Sequence, residues 1–184
     1  MTEFLTQISE EKFNVKLDLR YATDNNVTGE QLYREAICYL HTDAVFLLKK
    51  AITLASIQGY KIKIFDAFRP LLVQEYLFAK FSNNSAYDGF VSDPKRGATP
   101  HCRGVAIDLT LQDENENELD MGTEFDEFST LAYHSCTTIS KEAQRNRYIL
   151  MGIMLSAGWD FYQKEWWHYQ MFNPKNYPLL KTIL

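Results

Sequence analysis

The chain has 184 residues, 46% of them hydrophobic and 23% charged, which suits one compact domain over residues 1–184 with a sizeable core. A formal net charge of −5 and a pI near 5.4 argue against nucleic acid or an anionic membrane as principal partner and favour small solutes or peptides. Cys38, Cys102 and Cys136 are odd in number and lack tight spacing, which argues against a disulfide framework and for a reducing compartment.

The opening Met1-Thr2-Glu3-Phe4-Leu5-Thr6-Gln7 is short, mixed and acidic, without the basic and then apolar runs of a signal peptide. No apolar run approaches the roughly 20 residues needed to span a bilayer. The expectation is a soluble, cytoplasmic protein. Residues 13–23 alternate apolar and polar over their first part, as a half-buried strand does, before Asp24, Asn25, Asn26 and Gly29 break the pattern. From Ala36 to Ile57 the apolar positions recur at three and four, predicting a long amphipathic helix that stops at Gly59. His41 lies in that stretch and reads as a surface or boundary histidine.

Residues 61–67 alternate cleanly and predict a strand, after which Arg69-Pro70 turns the chain into a helix running to about Phe81. Arg69 falls at this strand-to-helix junction, where a rigid scaffold often places binding residues. Residues 82–98 are polar and glycine-containing and predict a loop over or beside a site. The run 112–127 holds eight acidic residues and no Lys or Arg, which reads mostly as a solvated loop. A second amphipathic helix is predicted from about Lys141 to Ala157, capped by Ser140 and stopped by Gly158. The order β, α, β, α, β, loop, α, β lacks regular βα alternation, so an α+β fold is expected, a small mixed or antiparallel sheet with packed helices.

Two stretches carry the chemistry. Pro100 to Gly104 reads as a tight turn leading into a strand from Val105 to Leu111, with His101 in the turn and Asp108 in the strand. An ionised carboxylate in an apolar strand needs a partner or a metal. Near the other end, Lys164-Glu165-Trp166-Trp167-His168-Tyr169 supplies a second histidine and another carboxylate. His101, Asp108 and His168 make three protein ligands, the usual number for a catalytic zinc that keeps a fourth position for water. Glu165 then lies beside the metal and not on it. Regular strand geometry sends residues at odd spacing to opposite faces, so sharing a site with His168 requires a turn, bulge or helical step between the two. Cys102 is an unattractive thiol ligand, because neighbours on extended backbone point apart.

These residues also carry a resemblance. Thr99 to Asp108 is similar to the S-x-H-x-x-G-x-A-x-D motif of zinc D,D-peptidases, and Glu165-Trp166-Trp167-His168 to their E-x-W-H motif. Asp18-Leu19-Arg20-Tyr21-Ala22-Thr23, Asp66-Ala67-Phe68-Arg69-Pro70, Asp108-Leu109-Thr110-Leu111 and Met121-Gly122-Thr123-Glu124-Phe125-Asp126 together resemble the D-alanyl-D-alanine dipeptidases of the VanX type. The resemblance implies the small α+β fold shared by D,D-peptidases and hedgehog domains, one Zn2+ per chain, and cleavage of D-Ala-D-Ala. Carried onto this chain, it makes His101, Asp108 and His168 the zinc ligands, Glu165 the general base and Arg69 the stabiliser of the transition state. Tyr21 and Asp126 then lie where the substrate's ammonium is received, and Thr99 replaces the motif's serine, keeping the hydroxyl and adding a methyl group. The rivals are a D,D-carboxypeptidase acting on longer wall peptides, a non-catalytic zinc- or peptide-binding module on the same fold, and a non-haem iron oxygenase, which also uses two His and one carboxylate.

Overall fold

The structure, a computed structural model, describes residues 4–180; Met1 to Glu3, part of the stretch read for a leader, lie outside it. In chain order the elements are β1 (Leu5–Ile8), α1 (Glu10–Phe13), β2 (Lys16–Leu17), β3 (Cys38–His41), α2 (Thr42–Ile57), β4 (Lys61–Asp66), α3 (Leu71–Phe81), β5 (Ala106–Gln112), α4 (Lys141–Ala157), β6 (Asp160–Phe161) and β7 (His168–Gln170). Among the described residues, no helix is long and apolar enough to cross a membrane. The fold is α+β, as expected: β2, β4, β5, β7 and β6 form a mixed five-stranded sheet in that order, and β1 pairs with β3 in a separate antiparallel ribbon.

β5 sits at the middle of the sheet and is buried at every position. Its alternation separates two chemistries. Ile107, Leu109 and Leu111 face the same side as Ile62, Ile64 and Tyr169, with which they pair in register. That side joins the apolar core, in which α2 packs on both β4 and α4. Ala106, Asp108, Thr110 and Gln112 face the other side, where Asp108 is directly opposite His168 on β7.

A register shift in β4 completes this polar face. Ile64 pairs with Leu109, yet Asp66 pairs with Asp108, so Phe65 is one residue extra on its strand. Without the shift Asp66 would oppose Ile107 and point into the apolar core. With it, two buried carboxylates stand side by side across the strands.

Sequence cues hold best where capping chemistry is local. α4 spans Lys141–Ala157 as predicted, with Ser140 Oγ accepting from the Ala143 N–H at 2.9 Å and Gly158 in the left-handed region at φ 104°. α3 ends at Phe81 as expected, although Pro70 occupies its N-cap and not its first turn. The predicted helix from Ala36 begins instead at Thr42. Cys38–His41 is a strand because it finds a partner in Leu5–Ile8, thirty or more residues away, and long-range pairing overrides local periodicity. His41 is correspondingly no surface residue. It is buried, its Nδ1 accepts from the Asp43 N–H at 3.2 Å to cap α2, and its ring lies against Phe4 and Tyr177. The strand expected over 13–23 shrinks to Lys16–Leu17, flanked by α1 and a 3-10 turn at Arg20–Ala22.

Candidate active site

His101 is delivered by a 3-10 turn, His101–Arg103, rather than by the strand that follows. Pro100 opens that turn and Gly104 closes it at φ 68°, a left-handed conformation that a β-carbon disfavours. A side chain at Gly104 would also meet Leu5 at 2.8 Å and the His41 backbone nitrogen at 3.1 Å. The turn is held from outside by the C-terminal segment, where the Leu180 N–H donates to Cys102 O at 2.9 Å and Arg103 donates to Tyr177 O.

His168 and Glu165 are brought together by the turn that their spacing demands. The His168 N–H donates to Glu165 O at 3.3 Å and the Glu165 N–H to Tyr162 O at 3.2 Å, so the chain coils once before β7 begins. The Trp166 N–H is anchored on Ala132 O at 3.1 Å, and Trp167 O accepts from Leu109 on β5 at 3.1 Å.

The three proposed ligands converge. His101 Nε2 is 3.1 Å from His168 Nδ1 and 3.3 Å from one Asp108 oxygen, and His168 Nδ1 is 3.0 Å from the other. All three residues are buried. Each imidazole's remaining nitrogen faces an acceptor: His101 Nδ1–H donates to Ala67 O at 2.6 Å and His168 Nε2–H donates to Gln170 Oε1 at 3.2 Å. These partners fix the tautomers, leaving the two inward nitrogens as lone pairs facing one another. Two lone pairs and a carboxylate at such separations repel unless a cation lies among them. Ligand distances of about 2.0–2.2 Å in a tetrahedron put ligand atoms roughly 3.3–3.6 Å apart, close to the spacings here. The donor set of two neutral imidazoles and one carboxylate therefore fits Zn2+. Burial raises the Asp108 pKa, but protons on the inward nitrogens of His101 and His168, which they take up when no cation lies between them, hold its carboxyl well below the usual range.

Glu165 lies beside this centre, its Oε2 3.9 Å from His168 Nδ1. Burial, and then the negative charges of Asp108 and Asp126, push its pKa well above the usual carboxylate value. Arg69 enters from the β4–α3 junction. Its Nε and Nη2 donate to Asp66 at 3.0 and 2.8 Å, its Nη1 donates to Gln74 Oε1 at 3.0 Å, and Nη2 is 3.6 Å from Asp108. Five N–H donors and these three hydrogen bonds leave one N–H on Nη1 and one on Nη2 outside them. Asp66 is itself held by Tyr33, whose hydroxyl donates at 2.7 Å.

A cavity of about 440 Å3 opens over the centre and includes Tyr21, Arg69, Thr99, Asp126, Glu165 and Trp167 in its lining, besides the three ligands. Every predicted site residue thus lies on one cavity. Thr99 has φ 45°, is 2% exposed, and its hydroxyl has no partner among the described residues. Tyr21 donates to Asp126 at 2.6 Å. Burial raises the Asp126 pKa to about 7, against the pull of that hydrogen bond and of Arg69. The acidic run is accordingly not all solvated, because its Asp126 end is folded into the site. Residues 89–93 of the polar loop also line the cavity, pinned by Tyr162 Oη–H donating to Gly89 O at 2.7 Å and Gln74 Nε2–H donating to Ser92 O at 2.8 Å.

Asp66, Gln74, Tyr33 and Gln170 escaped the sequence reading as members of the site. Gln170 carried a usable signal, two residues after His168 and so on the same face of a strand. Asp66 did not, since its orientation depends on the register shift.

A fold of this class with such a centre has known relatives. The peptidase M15 family model described as D-ala-D-ala dipeptidase matches residues 2–179, and the chain belongs to that family. It is 38% identical over 167 residues to the D-alanyl-D-alanine dipeptidase of Escherichia coli (strain K12), covering 91% of this chain and 84% of that protein. The D-alanyl-D-alanine dipeptidase of Enterococcus faecium is 31% identical over 180 residues, with 89% of each chain covered. That of Enterococcus faecalis (strain ATCC 700802 / V583) is 30% identical over 175 residues, covering 86% of this chain and 87% of that protein.

Proposed function

We propose that this protein hydrolyses the dipeptide D-alanyl-D-alanine to two molecules of D-alanine, with one zinc ion held by His101, Asp108 and His168. The observation that carries the reading is the convergence of two tautomerically fixed imidazole nitrogens and one carboxylate beside a second carboxylate, Glu165, that stays off the ligand set. The names of the relatives support the substrate.

Zinc bound there supplies a Lewis acid that polarises the scissile carbonyl and lowers the pKa of the attacking water. Glu165 takes that water's proton and returns it to the departing amino nitrogen, so that one water is added across the C–N bond. Burial and the charges of Asp108 and Asp126 favour its protonated form, which assists its taking up the water's proton. Arg69, held flat by Asp66 and Gln74, directs its remaining Nη1 donor at the oxygen that gains charge as the carbonyl becomes tetrahedral. Asp126, with Tyr21 on its second oxygen, faces the substrate's free ammonium, and Thr99 offers an unengaged hydroxyl to the polar end of the dipeptide.

A buried carboxylate waiting for an ammonium favours substrates with a free amino end over internal peptide bonds. D-alanine release from D-Ala-D-Ala, from its N-acetylated form and from a D-alanine tripeptide, each with and without a chelator, tests the whole reading. D-Ala-D-Ala is expected to be cleaved, in a chelator-sensitive way, and the acetylated form to be refused. Undiminished cleavage after the metal is stripped would sink the metal centre, and equal cleavage of the acetylated form would sink the role of Asp126.

A further inference from the structure

Arg69 is held at fewer fixed points than its hydrogen bonds suggest. Its Nε and Nη2 both donate to one atom, Asp66 Oδ2, at 3.0 and 2.8 Å, while the Tyr33 hydroxyl occupies Asp66 Oδ1. Two donors meeting on a single oxygen make a pivot, whereas a fork spread over both oxygens would make a clamp. The Tyr21 ring lies under the guanidinium, its centroid 4.9 Å from the guanidinium carbon. A ring face attracts a cation without fixing its rotation. Nη2 is 3.6 Å from Asp108, too far for a hydrogen bond. The second fixed point is Gln74, whose Oε1 accepts from Nη1 at 3.0 Å.

Gln74 is 3% exposed and sits in the first turn of α3. Its Nε2 donates to Ser92 O at 2.8 Å, which settles the way the amide faces. A guanidinium only donates and a carbonyl only accepts, so the residue between them must accept at one end and donate at the other. Glutamate would serve Arg69 and repel Ser92 O; methionine would serve neither. Ser92 belongs to the polar loop over the cavity, and the far edge of that loop is pinned by Tyr162 on Gly89 O at 2.7 Å and Lys164 on Asp88 O at 2.8 Å. Tyr162 and Lys164 belong to the coil that carries Glu165, whose N–H donates to Tyr162 O. The loop thus runs from the Arg69 side of the cavity to the Glu165 side, and one amide joins it to the guanidinium.

We infer, resting on the role of Arg69 in the tetrahedral state, that Gln74 is a positioning residue: fixed on Ser92 O, it stops Arg69 from turning about Asp66 and keeps the free N–H groups of Arg69 in one place.

Steady-state kinetics of the zinc-loaded protein on D-Ala-D-Ala, beside tryptic cleavage after the exposed Lys95 and Arg96 of the same loop, test this role. Gln74→Met, close in volume but without either hydrogen bond, should lower kcat by about 10-fold to 100-fold, since a misplacement of about 1 Å costs on that order. KM should stay within about twofold, with metal content unchanged and tryptic cleavage faster. Gln74→Glu keeps the acceptor for Arg69 and removes the donor to Ser92 O, so cleavage should quicken as much and kcat fall by at least about threefold. In an Arg69→Ala background Gln74→Met should cost less than about twofold more, because the group it positions is gone. A wild-type kcat in Gln74→Met overturns the inference, as does a wild-type kcat in Gln74→Glu with the loop loosened, since an acceptor alone would then suffice. Full multiplication of the two losses in the double variant, or a rise in KM with kcat intact, also overturns it, because Gln74 would then act other than through Arg69. Arg69→Ala at wild-type kcat would overturn the role of Arg69 itself, and this inference with it.

Discussion

Glu165 and His168 are three residues apart and both face the centre, yet their loss should read differently. Glu165→Gln preserves shape and the ligand set, so metal content should stay at one per chain while kcat falls by roughly 10²-fold to 10⁴-fold, the contribution of a general base. His168→Ala should lose the metal itself. Elemental analysis beside steady-state rates separates the two, and a Glu165→Gln protein with near-native turnover would place the base elsewhere. Arg69 is embedded more tightly than its position at a junction suggests, since Asp66 takes two of its donors and Gln74 a third. Arg69→Ala should therefore lower kcat by about 10²-fold to 10³-fold with KM little changed. Lysine, lacking the planar fork, should restore only part. A large rise in KM with kcat intact would instead make Arg69 a holder of the substrate's carboxylate. Asp126 titrates in reach of the assay. Its carboxyl, raised to about 7 by burial, must ionise to receive an ammonium, so kcat/KM should climb as pH rises through that value. Asp126→Asn should abolish this limb and raise KM by at least about tenfold. A limb that persists in the variant would belong to another group.

Turns and strands hold these side chains in place, and the turn at His101 is the most exacting of them. Gly104→Ala places a β-carbon at φ 68° against Leu5 and His41, which should cost about 1–3 kcal/mol and loosen the metal through His101. Urea denaturation and the rate of metal transfer to a chromogenic chelator would measure both effects. An alanine variant as stable as the parent would show that the turn has room to relax. This turn was legible in the sequence because Pro100 and Gly104 state their backbone preferences locally. The ends of α4 were legible for the same reason, through Ser140 and Gly158. What escaped was whatever depends on a distant partner. Cys38–His41 follows helical periodicity but becomes a strand beside β1, and Asp66 shows its face only once β4 is laid against β5 with one residue to spare. The seats of Thr99, Tyr21 and Asp126 came from motif resemblance, since three polar residues so far apart in the chain carry no local mark of a shared cavity.

At the scale of the molecule, acid should unfold this protein partly through a histidine that takes no part in the centre. His134 is 7% exposed, and burial followed by the charge of Arg147 lowers its pKa from 6.5 to about 4, against the weaker pull of the Glu165 backbone. The unfolded chain takes up a proton below about 6.5 that the folded one refuses until about 4. The associated stability is thus complete above the upper value and is lost as pH falls through the window. That loss amounts to roughly 2 kcal/mol between pH 7 and about pH 5. Buried Asp126, whose pKa is raised, acts in the opposite sense, so the informative quantity is a difference. His134→Phe should flatten the wild-type slope by that amount and leave stability at pH 7 equal or higher; parallel pH profiles would clear His134 of the effect. The spare residue in β4 bears on how the chain tolerates changes of length. Losing Phe65 itself would leave Ile64 opposite Leu109 and Asp66 opposite Asp108 in an unbroken ladder, whereas losing Ile62, Lys63 or Ile64 is absorbed only by turning residues on one side of the gap to the opposite face. Deletions of Ile62, Lys63 or Ile64 should be eliminated in a library selected for activity, whereas deletion of Phe65, which keeps Asp66 opposite Asp108, should be depleted less.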